Sequence, residues 1–141
     1  SIDGGITSCG TVGMELSMLG KPVIIAGRPH YSGKGFTYDG FEPVEYRKLL
    51  ENAENISCLN EEKVLLAKKY AYCYFIRKQI PLSITLNKDP KTWVGYVNYD
   101  KRKALVPKND PIIEFICEKI VDGSDFIMDD AFVKIAEMME A

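Results

Sequence analysis

The sequence predicts an α/β fold: a piece of a doubly wound parallel sheet with flanking helices, followed by C-terminal helices. Three observations carry this. Val23-Ile24-Ile25-Ala26 is a continuous apolar run without polar alternation, the pattern of a parallel strand covered on both faces. Loop, helix, strand, loop and helix alternate through the first 60 residues, as in a doubly wound sheet. Downstream, two amphipathic segments with recognisable caps end the chain as helices.

The elements follow in order. Thr11 to Leu19 places Val12, Leu16 and Leu19, with Met14 and Met18, at helical spacing. Gly20 supplies a C-terminal cap, and Lys21-Pro22 stops the helix before the apolar strand. Gly27 ends that strand. A polar, glycine-rich loop runs from Arg28 to Asp39, and a second helix starts at Pro43 and reaches Leu50, with Glu42 or the preceding loop near its N-terminus. Residues 1–60 thus form one segment and 61–141 a mainly helical second segment of the same domain. From residue 61, Val64, Leu65, Ala67, Ala71, Tyr72, Phe75 and Ile76 share one broad helical face, which Pro81 ends. Residues 87–108 hold Trp93, Tyr96 and Tyr99 among Lys, Asp, Asn and Gly, and read as a long loop. Asp110-Pro111 is an N-cap followed by proline at the first helical position, leading into Ile112, Ile113, Phe115, Ile116 and Ile120, with Gly123 as the stop. Asp129 caps a last helix carrying Phe132, Val133, Ile135, Ala136 and Met139.

With 46% hydrophobic and 27% charged residues in 141, the composition is that of an ordinary globular chain. The formal net charge of −2 hides an uneven distribution. Residues 61–108 carry 11 basic and 4 acidic side chains, a balance of +7; residues 109–141 carry 2 and 9, a balance of −7. Surface charge of this kind is mostly solvated, and a basic face for an anionic substrate or membrane is the sharper alternative. The overall acidic balance and the lack of any recognition motif argue against a nucleic-acid partner. Cys9, Cys58, Cys73 and Cys117 are scattered without a CxxC pair, and His30 is the single histidine, so no metal site is expected. Cys73 and Cys117 lie in apolar stretches, which predicts buried free thiols, a reducing compartment and a cytoplasmic setting. No apolar run approaches the ~20 residues needed to span a bilayer. The chain opens on Ser1 rather than Met, so an excised or processed piece is expected.

Two segments carry chemistry. In Thr7-Ser8-Cys9-Gly10-Thr11-Val12-Gly13-Met14-Glu15, small and hydroxylated residues lead into a helix start. Unpaired amides at such a start attract phosphate, and small side chains let an anion approach the backbone. Ser8 and Thr11 can add hydroxyl donors, and Glu15, one turn in, can accept from sugar hydroxyls of the same ligand. A plain capped helix with Glu15 in solvent explains the spacing equally well. The second segment is Gly27-Arg28-Pro29-His30-Tyr31-Ser32-Gly33-Lys34-Gly35-Phe36-Thr37-Tyr38-Asp39. It follows the carboxyl end of the apolar strand, where open α/β sheets bind ligands. Gly27 to Lys34 is no P-loop, because Gly35 stands where Ser or Thr is required. Gly10-x-x-Gly13 lacks the third glycine of a dinucleotide fingerprint.

At these two segments, and at Leu19-Gly20-Lys21-Pro22-Val23-Ile24, the sequence resembles the capsule polysaccharide biosynthesis family, which includes bacterial transferases for 3-deoxy-manno-octulosonic acid (Kdo). The T-V-G-x-E, L-G-K-P-V and Y-[SA]-G-x-G-[LF]-T-x-D patterns occur in order, within about residues 5–50. The resemblance implies a GT-B glycosyltransferase with two Rossmann-like domains, of which this chain is the C-terminal, donor-binding part. It implies that Ser8, Cys9, Gly10 and Thr11 bind the phosphate of a nucleotide-sugar donor, with a CMP-linked sugar such as CMP-Kdo favoured. Glu15 would hold the ribose, and His30, Tyr31, Ser32, Gly33, Lys34 and Thr37 would lie beside the donor sugar. No cofactor is implied. The family's upstream His-Pro motif is not in this chain, so an N-terminal domain is implied as partner, with the catalytic base on it. The isolated chain is then expected to transfer no sugar and to bind nucleotide weakly. A sugar-nucleotide 2-epimerase fragment and a non-catalytic polysaccharide-assembly scaffold, docked peripherally on the inner membrane face through the basic segment, are the alternatives.

Overall fold

The computed structural model describes residues 2–82, 85–88, 91, 95–97, 102, 103, 105, 106 and 108–140. The protein is mixed α/β, and its described residues form a small three-stranded parallel sheet, a two-stranded antiparallel pair and five α-helices. The chain divides into two compact units, Ser1–Tyr72 and Cys73–Ala141.

In the first unit, β1 (Gly5–Thr7), β2 (Val23–Ile25) and β3 (Tyr38–Asp39) form the sheet in the order β1-β2-β3. All pairs are parallel, with Thr7 opposite Ile25 and Ile25 opposite Asp39. Val23, Ile24 and Ile25 of the apolar run form the central strand and are buried, whereas Ala26 lies past its end and is exposed. Val23 and Ile25 pack with Met14, Ala67 and Ala71, that is, with α1 (Val12–Met18) and α3 (Glu61–Tyr72). Ile24 lines a shallow apolar pocket with Ala53 and Ile56, on the short 3₁₀ turn Ala53–Asn55 that follows α2 (Pro43–Glu51), and the residue after it. Alternate strand residues thus meet different neighbours, as a parallel sheet covered on both faces requires.

The helix starts follow their capping chemistry. At α2 the Glu42 carboxylate accepts from the first turn while Glu45 accepts from the Glu42 amide at 3.2 Å, a reciprocal capping box with Pro43 at the first position. α1 buries Gly13, Met14 and Ser17, whereas Val12 and Leu19, expected on its apolar face, are exposed. Small size decides this: Gly13 admits the Tyr31 ring, and the Ser17 hydroxyl donates to the Gly13 carbonyl at 2.9 Å.

α3 runs on into a π-helical turn, Cys73–Arg77, and the helical stretch ends there rather than at Pro81. Only Ala67 and Ala71 of the expected broad face are buried, because close packing on α1 selects alanine, while Leu65, Tyr72, Phe75 and Ile76 are exposed.

In the second unit, β4 (Thr85–Lys88) and β5 (Gly95–Val97) pair antiparallel with an irregularity between Thr85 and Asn87. This corrects the long loop expected over 87–108: Asn87, Lys88 and Gly95 to Val97 are strand, and Tyr96 lies within it. Thr85, Tyr96 and Val97 are β-favouring residues, and backbone pairing makes strands of them although Asn, Lys and Gly interrupt any alternation. Trp93 and Tyr99 lie outside the described residues. α4 (Pro111–Asp122) starts at Asp110, whose carboxylate accepts from the Ile112 and Ile113 amides at 2.8 and 3.1 Å. It stops at Gly123, which takes the left-handed conformation (φ 63°). α5 (Asp130–Glu140) is capped by Asp129, which accepts from the Phe132 amide at 2.7 Å. Ile112, Met128, Val133 and Ala136 form the core here, with Phe115 stacked on Phe132 at 4.4 Å between ring centres. Ile120 faces solvent, contrary to the apolar spacing, because α4 buries only the side turned to α5. The Met139 side chain lies outside the described residues.

All four cysteines are free thiols, but none is buried: Cys9, Cys58 and Cys117 are exposed and Cys73 is half-buried. The expected burial fails because Cys117 sits on the outer side of α4, away from the Ile112 cluster. Among the described residues no helix is long and apolar enough to cross a membrane.

Candidate functional site

Because the strands are parallel and in register at Thr7, Ile25 and Asp39, their carboxyl ends share one edge of the sheet. The β1–α1 turn (residues 8–11) and the β2–β3 loop (residues 26–37) both leave from that edge. The two sequence segments, about 20 residues apart in the chain, thereby become neighbours. The Ala26 amide donates to the Thr7 carbonyl at 2.9 Å. Gly27 lies against the Ser8 carbonyl so closely that a β-carbon there would collide with it. The Tyr31 hydroxyl donates to the Gly10 carbonyl at 2.9 Å.

In the turn, Ser8, Cys9, Gly10 and Thr11 are all exposed. Gly10 takes a positive φ of 89°, a conformation open to glycine at no steric cost. Thr11 stands at the N-cap of α1 without making a side-chain cap. Its hydroxyl instead donates to the Glu15 carboxylate at 2.5 Å, so Thr11 and Glu15 face each other across the first turn. The Thr7 hydroxyl donates to the Cys9 carbonyl at 2.8 Å, and the Ser8 hydroxyl lies 3.8 Å from the Cys9 sulfur. An incoming anion would meet small side chains, hydroxyls and one carboxylate.

The loop is held from several sides. Tyr31 is fully buried, so it joins the loop to the turn and does not face a ligand. Burial pushes its phenol above the ordinary value, as expected where the charged form would be desolvated. Its ring packs with Phe36, also fully buried, at 6.1 Å between centres. The Ser32 hydroxyl donates to the Pro29 carbonyl at 2.8 Å. Gly33 and Gly35 take φ of 73° and 90°, with the exposed Lys34 between them. The Thr37 hydroxyl donates to Asp39 Oδ1 at 2.9 Å, and the Gly33 amide to Oδ2 at 2.8 Å. Arg28 lies over the Phe41 ring at 4.8 Å, and Lys63 over Tyr38 at 5.3 Å. These cations stand on rings around the sheet edge rather than in ion pairs with the loop.

His30 is exposed and stacks on Tyr70, whose hydroxyl donates to the His30 carbonyl at 2.7 Å. The same hydroxyl lies 3.1 Å from His30 Nδ1. A hydroxyl already donating to a carbonyl can accept from Nδ1–H, which favours the tautomer protonated at Nδ1. Desolvation lowers the His30 pKa, which favours the neutral ring.

Two residues not singled out for a role organise this site: Asp39, which closes the second sequence segment, and Tyr70, which lies outside both segments. The Thr37-x-Asp39 spacing, with glycines upstream, was a readable sign of a side-chain-clasped turn. Tyr70 carried no such sign, since its role depends on α3 lying beside the loop. A separate cavity of about 530 Å³ in the second unit is lined by Lys108, Asp110, Glu114, Phe115, Lys119 and others. Three of its carboxylates are engaged locally: Asp110 and Asp129 cap helices, and Glu114 accepts from the Lys108 amide at 2.7 Å. Among the described residues no group of three or more His, Cys, Asp or Glu could hold a metal ion. The chain matches no known protein-family model, no curated protein and no solved structure.

Proposed function

We propose that this chain is the donor-binding part of a GT-B glycosyltransferase of surface-polysaccharide synthesis, with a Rossmann-like sheet as its frame. The observation that supports this reading is the meeting of two motif segments at the carboxyl edge of a parallel sheet, joined through Tyr31 and Gly10. That edge is where open α/β sheets bind nucleotides. Ser8 to Thr11 offers backbone and hydroxyl donors to a phosphate, Glu15 an acceptor for ribose hydroxyls, and the β2–β3 loop a wall for the sugar. The donor favoured by the motif resemblance is a CMP-linked sugar, and the transfer itself calls on an N-terminal acceptor domain.

The test is a titration of the ¹⁵N-labelled chain with CMP, CDP, UDP and GDP, followed by amide chemical shifts. CMP should move the amides of Ser8 to Thr11 and of Gly33 to Gly35, saturably, and the other bases should do so less. The absence of saturable shifts at these residues with every nucleotide would sink the reading.

A further inference from the structure

The β2–β3 connection spans residues 26–37 without a helix, a length at which a free loop samples many conformations. Tyr31, Phe36 and Tyr70 anchor its first part and middle, and one further side chain clasps its tip. Asp39, paired with Ile25 at the end of β3, is fixed by the sheet. Its two oxygens accept from opposite parts of the loop, the Gly33 amide and the Thr37 hydroxyl. Bonds to an ionised carboxylate are the stronger kind of neutral-donor hydrogen bond. The tip they hold includes Gly33 and Gly35 in left-handed conformations, which glycine adopts readily but also leaves readily.

We propose that Asp39 is a positioning residue for ligand binding: it holds the loop in its binding form through Gly33 and Thr37 and does not touch the ligand. This rests on the donor-site reading above. A loop that is binding-competent only a fraction of the time weakens apparent affinity by that fraction.

The experiment uses the full chain, with CMP as probe, and three variants. Asp39→Ala removes both acceptors. Asp39→Asn keeps an acceptor for Gly33 and can donate to the Thr37 oxygen. Thr37→Val removes one half of the clasp. Asp39→Ala should speed hydrogen exchange of the Gly33 amide and weaken CMP binding, each roughly tenfold. Exchange of the Met14 and Val23 amides should stay unchanged. Asp39→Asn should restore both to within about threefold of the wild type, and Thr37→Val should fall between. Wild-type affinity in Asp39→Ala would overturn the positioning role and leave the donor site standing. Weaker binding with equally faster exchange at Met14 and Val23 would also overturn it, since that is loss of the fold. If the wild type binds no nucleotide, the donor reading fails first and the positioning role falls with it.

Discussion

At the scale of single residues, the tightest constraint in the site is the meeting of Gly13 and Tyr31. A glycine inside a helix normally costs about 0.5–1 kcal/mol relative to alanine, so Gly→Ala is ordinarily stabilising. At Gly13 a β-carbon would collide with the Tyr31 hydroxyl and press on Thr7 Cγ2 at 3.0 Å. Gly13→Ala should therefore destabilise, by about 1–3 kcal/mol as for other overpacked sites. Tyr31→Phe alone should cost about 0.5–1.5 kcal/mol, the net value of the bond to Gly10. Because the colliding atom is that hydroxyl oxygen, the double variant should lose less than the sum of the two. A double-mutant cycle by urea unfolding measures this, and strict additivity would show that the two residues do not meet as described. His30, Ser32 and Lys34 could be picked out as candidates because polar residues in a glycine-rich loop stand out, although Ser32 is half-buried. The buried role of Tyr31 was not legible, since nothing in the local pattern says which tyrosine of the loop turns inward.

Among the elements, legibility tracks how local the determining interaction is. β2 and the starts of α2 and α4 are set by a continuous apolar run, a Pro43 beside two glutamates, and Asp110-Pro111. β1 and the β4–β5 pair are short and lack a period, and partners supplied by the fold decide them. The same contrast separates α4 from the site helix α1: α4 carries a side-chain cap, whereas α1 starts on Thr11 without one. Asp110 is 5% exposed and satisfies two amides that are otherwise shut away from water. Asp110→Ala should cost about 2 kcal/mol, at the upper end for N-caps, and Asp110→Asn only a few tenths, because the amide oxygen can still accept. Chemical denaturation of both variants decides this. Equal losses would point to the charge of Asp110 rather than its capping bonds.

For the whole molecule, charge and packing divide the chain differently. The +7 stretch from 61 to 108 begins with α3, which packs on α1 in the first unit, and continues into the second. Charge blocks read from a sequence follow the chain, whereas compact units follow apolar burial, so the first is a poor guide to the second. Each unit holds its own cluster, around Val23 and Ile25 in one and around Ile112 and Met128 in the other. Units of about 70 residues bury a modest core, so one cavity removes a large share of their stability. Ile25 and Ile112 are both fully buried, and truncating either to alanine should cost about 2–5 kcal/mol. Hydrogen exchange followed peptide by peptide locates the loss. Ile25→Ala should lower protection most in β2, α1 and α3, and Ile112→Ala most in α4 and α5. If the largest loss for Ile25→Ala fell instead in α4 and α5, the assignment of Ile25 to the sheet core would be wrong. The edge on which the candidate site stands would then lack its frame, because Ile25 is the central residue that pairs with Thr7 on one side and Asp39 on the other.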